Sequence, residues 1–393
     1  MIGEEEAKAR VLGSLAVLPS RKVALSQALN AFCARDLFAS LPLPIFSNSA
    51  MDGYAIASSS CVPGQALRVV GEQPAGRKQK LRVGAGEAVR IFTGAPIPDG
   101  ADAVVMQEDA TERDGFVTFH EEIQCGEFVR ERGCDLGEGQ KIIAAGERIN
   151  SQKLALLASQ GFAEVEVGGE VRVAIISTGD ELIGAGAALE EGQLYESNSV
   201  LLSSMARQSG AVVARVEHCT DSPEAIEAAF KNGVEYDALI VSGGVSVGAR
   251  DFVKESLRSI GAEIGLWRVA VKPGKPFLFG RAGKCSIFGL PGNPVSAFVT
   301  FLLFVRPALL KMAGARESEL SLPTFAAVLN GELRNDGDRP HYIRGNLRDG
   351  EFLPSGRQES HALFGLSQSN ALLRMAAGEE LAAGAAIRVS TWH

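Results

Sequence analysis

The sequence predicts a multidomain α/β protein with additional β-rich domains, built around a central doubly wound α/β/α domain. An elongated N-terminal helical and β region and a small C-terminal β-barrel-like domain are expected to flank it. The chain has 393 residues, whereas a single hydrophobic core stops growing at roughly 250–300 residues. Strands alternate with helices over residues 171–315, and short apolar runs between Gly and Pro turns are typical of the flanking segments.

The composition narrows the class of protein. Hydrophobic residues make up 46% and charged residues 22% of the chain, as in a soluble globular protein. The 39 basic and 47 acidic residues give a net charge of −8, which disfavours a general nucleic-acid binder. The longest strongly apolar run, 297–305, is shorter than the roughly 20 residues of a membrane helix. No signal segment follows the N-terminal acidic residues, so we expect a cytoplasmic protein that binds neither nucleic acid nor membrane.

The first 170 residues predict a helical start and a β-rich continuation. Apolar residues recur at helical spacing from Ala7 to Leu18, and Ser26 is positioned to cap a second short helix that runs through Leu29 to Cys33. The two prolines in residues 41–44 exclude a continuing helix. Strands are then predicted at 66–70, 88–93, 103–107 and 116–119, followed by a helix at 151–159.

Residues 171–315 predict the α/β domain. The run 171–177 is almost continuously apolar, as in a strand that is buried on both faces of a parallel sheet. Either Asp221 or Ser222 can cap the helix that starts at Pro223. Further strands are predicted at 212–216, 238–241 and 286–289, and helices at 197–208, 223–231, 252–259 and 295–310. The strands that end in 386–391 close a small C-terminal β domain.

These changes of pattern divide the chain into four predicted domains. Residues 1–44 and 141–170 form a discontinuous linking domain, and residues 45–140 form a β-rich domain inserted into it. Residues 171–315 form the α/β domain, and residues 316–393 form the C-terminal β domain.

Three loops of small residues follow predicted strands, at 177–181, 242–248 and 289–294. Ligands of open α/β sheets bind beyond the carboxyl ends of the strands, where these loops meet. Their glycines let a ligand approach the backbone and offer N–H groups to phosphate. Neither a GxxxxGK[ST] motif nor a GxGxxG motif after a strand is present, which disfavours Walker ATPases and standard dinucleotide-binding enzymes.

Fixed cations and carboxylates accompany these loops. Lys272 and Lys275 are three residues apart in a loop with two prolines, and such lysines suit a small oxyanion or phosphate. Six acidic residues lie beside glycines or at predicted helix starts: Asp52, Asp135, Asp180, Glu181, Asp221 and Asp251. Two or three of them around a phosphate could hold magnesium, while Asp221 and Asp251 could equally be plain helix caps.

One alternative is a serine hydrolase. Residues 244–248 match the GxSxG nucleophile pattern with Ser246, and His341 or His361 would then serve as the base. Two glycines precede the serine, however, and no oxyanion loop of the HGGG type is present, so the pattern favours this activity only weakly.

Taken together, the motifs resemble those of the MoeA family of molybdopterin molybdenumtransferases, which is similar to the E domain of gephyrin. The resemblance rests first on the nine-residue run 47–55, SNSAMDGYA. It continues through 93–96, 103–107, 132–135, 177–182, 193–198, 242–248 with Asp251, 272–276 and 289–297. It therefore covers nearly the whole chain.

The resemblance implies an enzyme of molybdenum cofactor biosynthesis. Such an enzyme inserts molybdenum from molybdate into adenylylated molybdopterin and releases AMP, with Mg²⁺ as cofactor. It assigns catalytic roles to Asp52, Asp135, Glu181, Asp221, Asp251 and Lys275. Glu181, Asp221 and Asp251 would hold the magnesium, and Lys272, Lys275, Arg344 and Ser360 would surround the molybdate dianion. The full substrate-binding set is Thr93, Ser177, Thr178, Gly179, Asp180, Ser242, Gly243, Gly244, Ser246, Gly248, Lys272, Lys275, Pro276, Pro291, Gly292, Asn293, Pro294, Arg344 and Ser360.

The resemblance also implies a homodimer, because the family's acids equivalent to Asp52 and Asp135 approach the α/β site of the other subunit. Other proteins of molybdenum cofactor synthesis are possible partners. The α/β domain alone would also fit a molybdopterin adenylyltransferase, but the Asp52 region and the C-terminal domain favour the molybdenumtransferase. A scaffold role like that of gephyrin would need further domains and linkers.

Overall fold

The computed structural model describes residues 1–244 and 252–392, with the side chain of Phe252 left aside. Contacts divide the chain into two compact units. The first comprises Met1–Arg35, Ala145–Leu154 and Ala163–His393, and the second comprises Asp36–Ala144 and Ala155–Phe162. The helix Ser151–Ser159 forms as its spacing predicts.

A six-stranded mixed sheet forms the centre of the first unit. Four neighbouring strands are parallel and two more complete the sheet in antiparallel pairing. In spatial order they are Val212–Cys219, Arg172–Thr178, Ala238–Ser242, Cys285–Leu290, Leu278–Ala282 and Glu263–Trp267. Ser242 lies opposite both Ser177 and Leu290, so the carboxyl ends of three parallel strands meet at one edge.

Helices cover both faces of this sheet, which confirms the doubly wound prediction. Asn198–Gln208 and the long helix beginning at Pro294 pack over one hydrophobic core, and Pro223–Gly233 and Phe252–Ser259 pack over another. Ser222 caps the helix Pro223–Gly233, because its hydroxyl accepts a hydrogen bond from the N–H of Ala225 at 3.2 Å. That observation leaves Asp221 available for another role.

The long helix consists of Pro294–Thr300, a π-helical turn at Phe301–Val305, and Arg306–Met312. By length and composition it is the one helix of the described chain that could cross a membrane. It is 83% buried inside the protein, however, as expected for the core helix of an α/β domain.

The C-terminal region contains a closed five-stranded barrel, which confirms the predicted β-barrel-like domain. In spatial order its strands are Thr324–Leu329, Glu351–Pro354, His341–Arg348, Ala371–Met375 and Ala386–Thr391. A two-stranded pair, Leu333–Arg334 with Glu380–Leu381, accompanies it. The short helices Glu317–Leu320 and Leu363–Ser367 lie before and within the barrel sequence.

The N-terminal segment begins with the predicted helix, at Glu4–Gly13. The prediction of a second helix, capped by Ser26 and running through Leu29 to Cys33, is wrong. The chain instead forms the strand Arg21–Ala24, which pairs with Glu164–Val167, and a 3₁₀ turn at Leu25–Gln27. Phe32 and Cys33 then make isolated bridges to Arg148 and Val167, so extended pairing takes up the backbone groups of this segment.

The second unit is built on a six-stranded sheet. All four strands predicted here are present, within a residue or two at most ends. In spatial order the sheet contains Ala103–Met106, Gly53–Ile56, Glu87–Ile91, Ala66–Gln73, Phe116–Phe119 and Ala110–Arg113. Two smaller pairs join Leu37–Phe38 to Lys141–Ile143 and Asn48–Ser49 to Val129–Arg130.

Candidate functional site

A cavity of about 860 Å³ opens at the carboxyl ends of the parallel strands in the first unit. Its walls come from the three predicted loops, the lysine loop and a C-terminal segment between residues 339 and 363. Sixteen of the predicted site residues line it: Ser177, Thr178, Gly179, Glu181, Asp221, Ser242, Gly243, Gly244, Lys272, Lys275, Pro276, Pro291, Gly292, Asn293, Pro294 and Ser360. The topology therefore gathers in one place residues that are separated by almost 200 positions in the sequence.

Glycines form the floor of the cavity for a steric reason. Gly243 and Gly244 have φ values of +95° and +65°, which side-chain-bearing residues rarely adopt. A Cβ on Gly243 would lie 2.5 Å from the carbonyl oxygen of Thr178, and one on Gly244 would lie 2.4 Å from Cγ2 of Val253. Close packing beneath the loop thus excludes side chains and leaves backbone facing the cavity.

Asn198 joins two of these loops and was not among the predicted site residues. Its Nδ2 donates to the hydroxyl of Ser242 at 2.9 Å and to the carbonyl oxygen of Gly292 at 2.6 Å. Its Oδ1 is buried and has no hydrogen-bond partner among the described residues. The signal for this residue was the ESN sequence at the start of the helix Asn198–Gln208.

The lysine loop is fixed from two sides. The N–H of Lys272 donates to the carbonyl oxygen of Pro340 at 2.8 Å, and the carbonyl oxygen of Lys272 accepts from the N–H of Tyr342 at 2.7 Å. Gly274 has a φ of +121°, and a Cβ there would lie 2.5 Å from Cγ2 of Thr300. Both Lys272 and Lys275 are exposed to the cavity, and neither forms an ion pair with any residue the structure describes.

Ser360 reaches the same cavity from the barrel region. Its hydroxyl accepts a hydrogen bond from Nδ2 of Asn293 at 2.9 Å, and its carbonyl oxygen accepts one from the N–H of Val295 at 3.2 Å. Asn293 and Val295 belong to the start of the long helix, so Ser360 is held at the edge of the α/β sheet.

The position of Arg344 corrects its predicted role as a molybdate ligand. Arg344 is fully buried and does not line the cavity. Its guanidinium donates to the carbonyl oxygens of Arg357 at 2.6 Å, of Glu359 at 3.3 Å and of Ala362 at 3.3 Å. Arg344 therefore fixes the loop that carries Ser360, and burial lowers the pKa of its guanidinium.

The arginine that lines the cavity is Arg339, whose side chain is 25% exposed. Sequence reasoning missed it because Arg339 and Arg344 lie in one short segment, and spacing does not indicate which of them faces inward. Other cavity residues that were not predicted include Tyr195, Glu196, Gln358 and Glu359, and His361, which was a candidate only for the serine-hydrolase alternative, also lines the cavity.

Lys272, Lys275 and Arg339 form the cationic wall of the cavity. His341 is buried behind this wall. Burial and the positive charges of Lys272, Arg344 and Arg339 lower the pKa of its imidazole to about 4. The ring is therefore neutral at pH 7, and its Nε2 has no hydrogen-bond partner within the described part of the chain. Three cations surrounding one neutral histidine make this side of the cavity attractive to an anion.

Carboxylates occupy another part of the wall. Partial burial raises the pKa of the Asp221 carboxyl, and the charges of Asp180 and Glu181 raise it further. Oδ1 of Asp180 accepts the N–H of Asp221 at 3.0 Å, which explains why Asp180 supports the loop rather than lining the cavity. Such mutual repulsion favours occupation by a cation.

This arrangement fits a magnesium ion that is held partly by substrate. Among residues 1–244 and 252–392, no three His, Cys, Asp or Glu side chains are grouped to hold a metal ion by themselves. Magnesium usually keeps several waters and binds one or two carboxylates together with phosphate oxygens. Glu181 and Asp221 supply two carboxylates beside the glycine loops. The third predicted ligand, Asp251, lies outside the described residues, as do Ser246 and Gly248.

The remaining predicted residues lie in the second unit. Oδ1 of Asp52 accepts hydrogen bonds from the N–H of Thr93 at 2.7 Å and from its hydroxyl at 2.8 Å. These bonds hold the pKa of the Asp52 carboxyl below its ordinary value, so the group is ionised at neutral pH. Asp135 is exposed, and its N–H donates to the carbonyl oxygen of Leu43 at 3.0 Å.

Three family models match successive parts of the chain. The MoeA N-terminal region (domain I and II) matches residues 2–161. The probable molybdopterin binding domain matches residues 174–311, and the MoeA C-terminal region (domain IV) matches residues 326–392. The three matches together extend over both compact units.

Whole-chain comparisons agree with these matches. A molybdopterin molybdenumtransferase of Haemophilus influenzae is 36% identical over 356 residues, covering 89% of this chain and 88% of the relative. One from Nostoc is 38% identical over 86% of this chain and 81% of the relative. A crystal structure of the molybdopterin biosynthesis MoeA protein from Pyrococcus horikoshii matches with a TM-score of 0.81 and 26% identity, covering 100% of this chain and 99% of that one. The chain therefore belongs to the MoeA family of molybdopterin molybdenumtransferases.

Proposed function

We propose that this transferase inserts molybdenum from molybdate into the dithiolene of adenylylated molybdopterin and that AMP is released in the same cycle. The observation that carries the proposal is the meeting of a cationic wall and a glycine-lined floor in one cavity. A tetrahedral oxyanion and a phosphate-bearing substrate can thus be bound side by side.

The molybdate position is proposed to lie between the lysine loop and Ser360. Lys272, Lys275 and Arg339 supply positive charge, and the hydroxyl of Ser360 supplies a hydrogen-bonding group. Charge-assisted hydrogen bonds of this kind are roughly twice as strong as neutral ones. Because the lysine loop is already fixed by its backbone contacts, little conformational entropy is lost when the dianion binds.

The phosphates of adenylylated molybdopterin are proposed to lie over Gly243, Gly244 and Gly292. Substituents at the first two positions would collide with the strand and helix behind them, so the floor stays open to a bulky ligand. Asn198 keeps the Ser242 and Gly292 loops at a fixed separation. The floor is therefore preorganised before the substrate arrives.

Magnesium is proposed to bind at Glu181 and Asp221, with Asp251, which lies outside the described residues, as the third ligand. When bound, the ion withdraws negative charge from the phosphates as the pyrophosphate-type bond breaks. The role of the chain is to orient the substrate phosphates between these carboxylates and the lysines. Mutual repulsion between the carboxylates is relieved when a cation arrives.

A homodimer is proposed in which Asp52 and Asp135 serve the site of the other subunit. Asp52 is ionised and fixed by Thr93, which suits a group that must meet a substrate in a defined position. Asp52→Ala and Lys275→Ala should each be inactive as homodimers. After subunit exchange, a mixed dimer carries one site with both changes and one with neither.

Recovery of part of the activity in that mixture is the expected result, measured by AMP release. Each variant incubated alone under the exchange conditions is the control. A monomeric protein, or a mixed dimer without recovery, would contradict the shared site.

The alternatives predict different products. An adenylyltransferase would consume ATP and molybdopterin and release pyrophosphate, whereas the proposed reaction consumes the adenylylated substrate and releases AMP. The family matches outside the α/β domain favour the second reaction over both the adenylyltransferase and the serine hydrolase. The purified protein should therefore release AMP with magnesium and molybdate present, and pyrophosphate formation from ATP would overturn the proposal.

A further inference from the structure

A second cavity, of about 210 Å³, lies in the first unit along the long helix. Its wall combines apolar side chains with two arginines, and it includes Arg148, Phe298, Phe301, Leu302, Arg306 and Trp392. The two cavities share no lining residue, although Ser296 of the first and Phe298 of the second are two residues apart on the long helix. Arg306 follows Ser296 by ten residues, or about 15 Å at 1.5 Å per helical residue, so the charged part of the second cavity is remote from the first.

The charges around this cavity do not balance. Nε of Arg148 lies 3.9 Å from Oε2 of Glu319, and Arg316 lies 3.5 Å from the same carboxylate. Arg306 donates to the carbonyl oxygen of Leu320 at 2.9 Å but forms no ion pair with any residue in the described ranges. The half-buried guanidinium of Arg306 lines the cavity, and one of its nitrogens alone has a hydrogen-bond partner among the described residues.

Burial and the nearby charge of Arg148 lower the pKa of Arg306 to about 10, although the charge of Glu319 acts in the opposite direction, so the group is still charged at neutral pH. A partly desolvated cation gains more from an anionic partner than an exposed one does. Arg148 already has the carboxylate of Glu319 and the ring of Phe32, whose centroid is 4.6 Å away. Of the two arginines in the wall, Arg306 is therefore the one without a carboxylate within ion-pair distance among the described residues.

The apolar wall limits what kind of anion fits. The rings of Phe298 and Trp392 meet edge to face with their centroids 4.9 Å apart. Phe301 and Leu302 lie in the π-helical turn immediately before Arg306. Such turns occur often at functional sites. The volume of this cavity, about 210 Å³, equals that of about seven waters at ~30 Å³ each. This is enough space for one substituted ring.

We propose that this cavity binds a small organic monoanion, an aromatic carboxylate, with its charged group at Arg306 and its ring against Phe298, Phe301 and Trp392. The free donors of Arg306 match the two oxygens of a carboxylate. This site is independent of the proposed function, because none of its residues is assigned to molybdate or phosphate binding.

The test is a titration with benzoate, using benzamide as the neutral probe of the same shape. The chain has two tryptophans, so Trp267→Phe leaves Trp392, in the cavity wall, as the fluorescent reporter. Benzoate should change the Trp392 emission saturably, and benzamide should bind at least about tenfold more weakly. Arg306→Leu should weaken benzoate binding by about tenfold to a hundredfold, the value of a charge-assisted hydrogen bond.

Arg348→Leu is the matched control, because Arg348 is 86% exposed beside Asp349 and should leave benzoate binding unchanged. If circular dichroism shows that Arg306→Leu does not fold, Arg306→Lys decides instead, with a smaller but measurable loss. Equal affinities for benzoate and benzamide, or no effect of either Arg306 variant, would overturn the proposal. The proposal would also be overturned if benzoate does not bind and the Arg306 variants change the particle mass measured by light scattering. That result would make this face a contact between copies of the chain.

Discussion

Arg344 offers the sharpest test of how the cavity is built. Arg344→Met removes a buried guanidinium that donates to three carbonyl oxygens of residues 357–362. An unsatisfied buried polar group costs about 1–3 kcal/mol. Taking the low end for each carbonyl, because a surface loop can relax and admit water, gives a loss of about 3 kcal/mol in the free energy of unfolding. Arg344→Lys keeps the charge but loses the fork of donors, so it should fall between wild type and Arg344→Met.

The effect on function should concern molybdate rather than the nucleotide part of the substrate. Loss of the guanidinium frees the loop that carries Ser360, while Gly243 and Gly244 are held by contacts that do not involve Arg344. The molybdate concentration for half-maximal AMP release should rise about tenfold, the value of one charge-assisted contact. The affinity for adenylylated molybdopterin should change little.

The assays are urea unfolding followed by circular dichroism, and molybdate titrations of AMP release at a temperature where each variant is folded. Arg348→Met, on the same strand but 86% exposed, is the control and should behave as wild type. If Arg344→Met lowers the affinity for molybdate and for adenylylated molybdopterin equally, with stability unchanged, Arg344 does not position the loop that carries Ser360. Normal stability together with a normal molybdate midpoint in this variant would refute the same role.

Three further predictions concern single side chains. Lys275→Gln should raise the molybdate midpoint of AMP release by about tenfold to a hundredfold, with a smaller change for adenylylated molybdopterin; a defect confined to the latter would place the lysine loop at the phosphates. Asp221→Asn should raise the magnesium concentration needed for half-maximal AMP release. Because the pKa of Asp221 is raised in the folded protein, wild type loses stability as the pH rises above the ordinary value of 3.8. An Asp221→Asn variant with the pH profile and the magnesium midpoint of wild type would contradict the proposed role of Asp221 as a magnesium ligand. His341 has its folded pKa lowered from 6.5 to about 4, so the free energy of unfolding should fall by roughly 3 kcal/mol as pH falls through that interval; His341→Gln should flatten the profile, and an unchanged slope would be evidence against a buried neutral ring.

Much of the α/β domain could be predicted because its signals are local. The strand Arg172–Thr178 is apolar on both faces, and the Gly and Pro loops mark where the parallel strands end. The short helix predicted to run from Ser26 through Leu29 to Cys33 does not form, because Phe32 and Cys33 pair with distant residues, Arg148 and Val167. Such non-local pairing overrides local propensity and leaves no sign in the spacing.

The candidate site shows the same limit at the level of side chains. The lysine loop and the glycine loops were recognisable from residue type, since few other roles require those residues together. Arg339 and Arg344 are equivalent by composition, and the backbone carbonyls around the second of them decide that it points inward to the protein. Asn198 was missed because its role depends on two loops that meet only in the folded sheet.

One cavity is proposed to bind molybdate and adenylylated molybdopterin together and to couple their reaction to AMP release. The most direct measurement is AMP release from purified protein with adenylylated molybdopterin and magnesium, in the presence and absence of molybdate, together with the molybdenum content of the pterin product. We predict that molybdate accelerates AMP release and that molybdenum appears in the product in proportion to the AMP formed. Molybdate-independent AMP release, or AMP formed without molybdenum in the product, would show that the two substrates do not react together in this cavity.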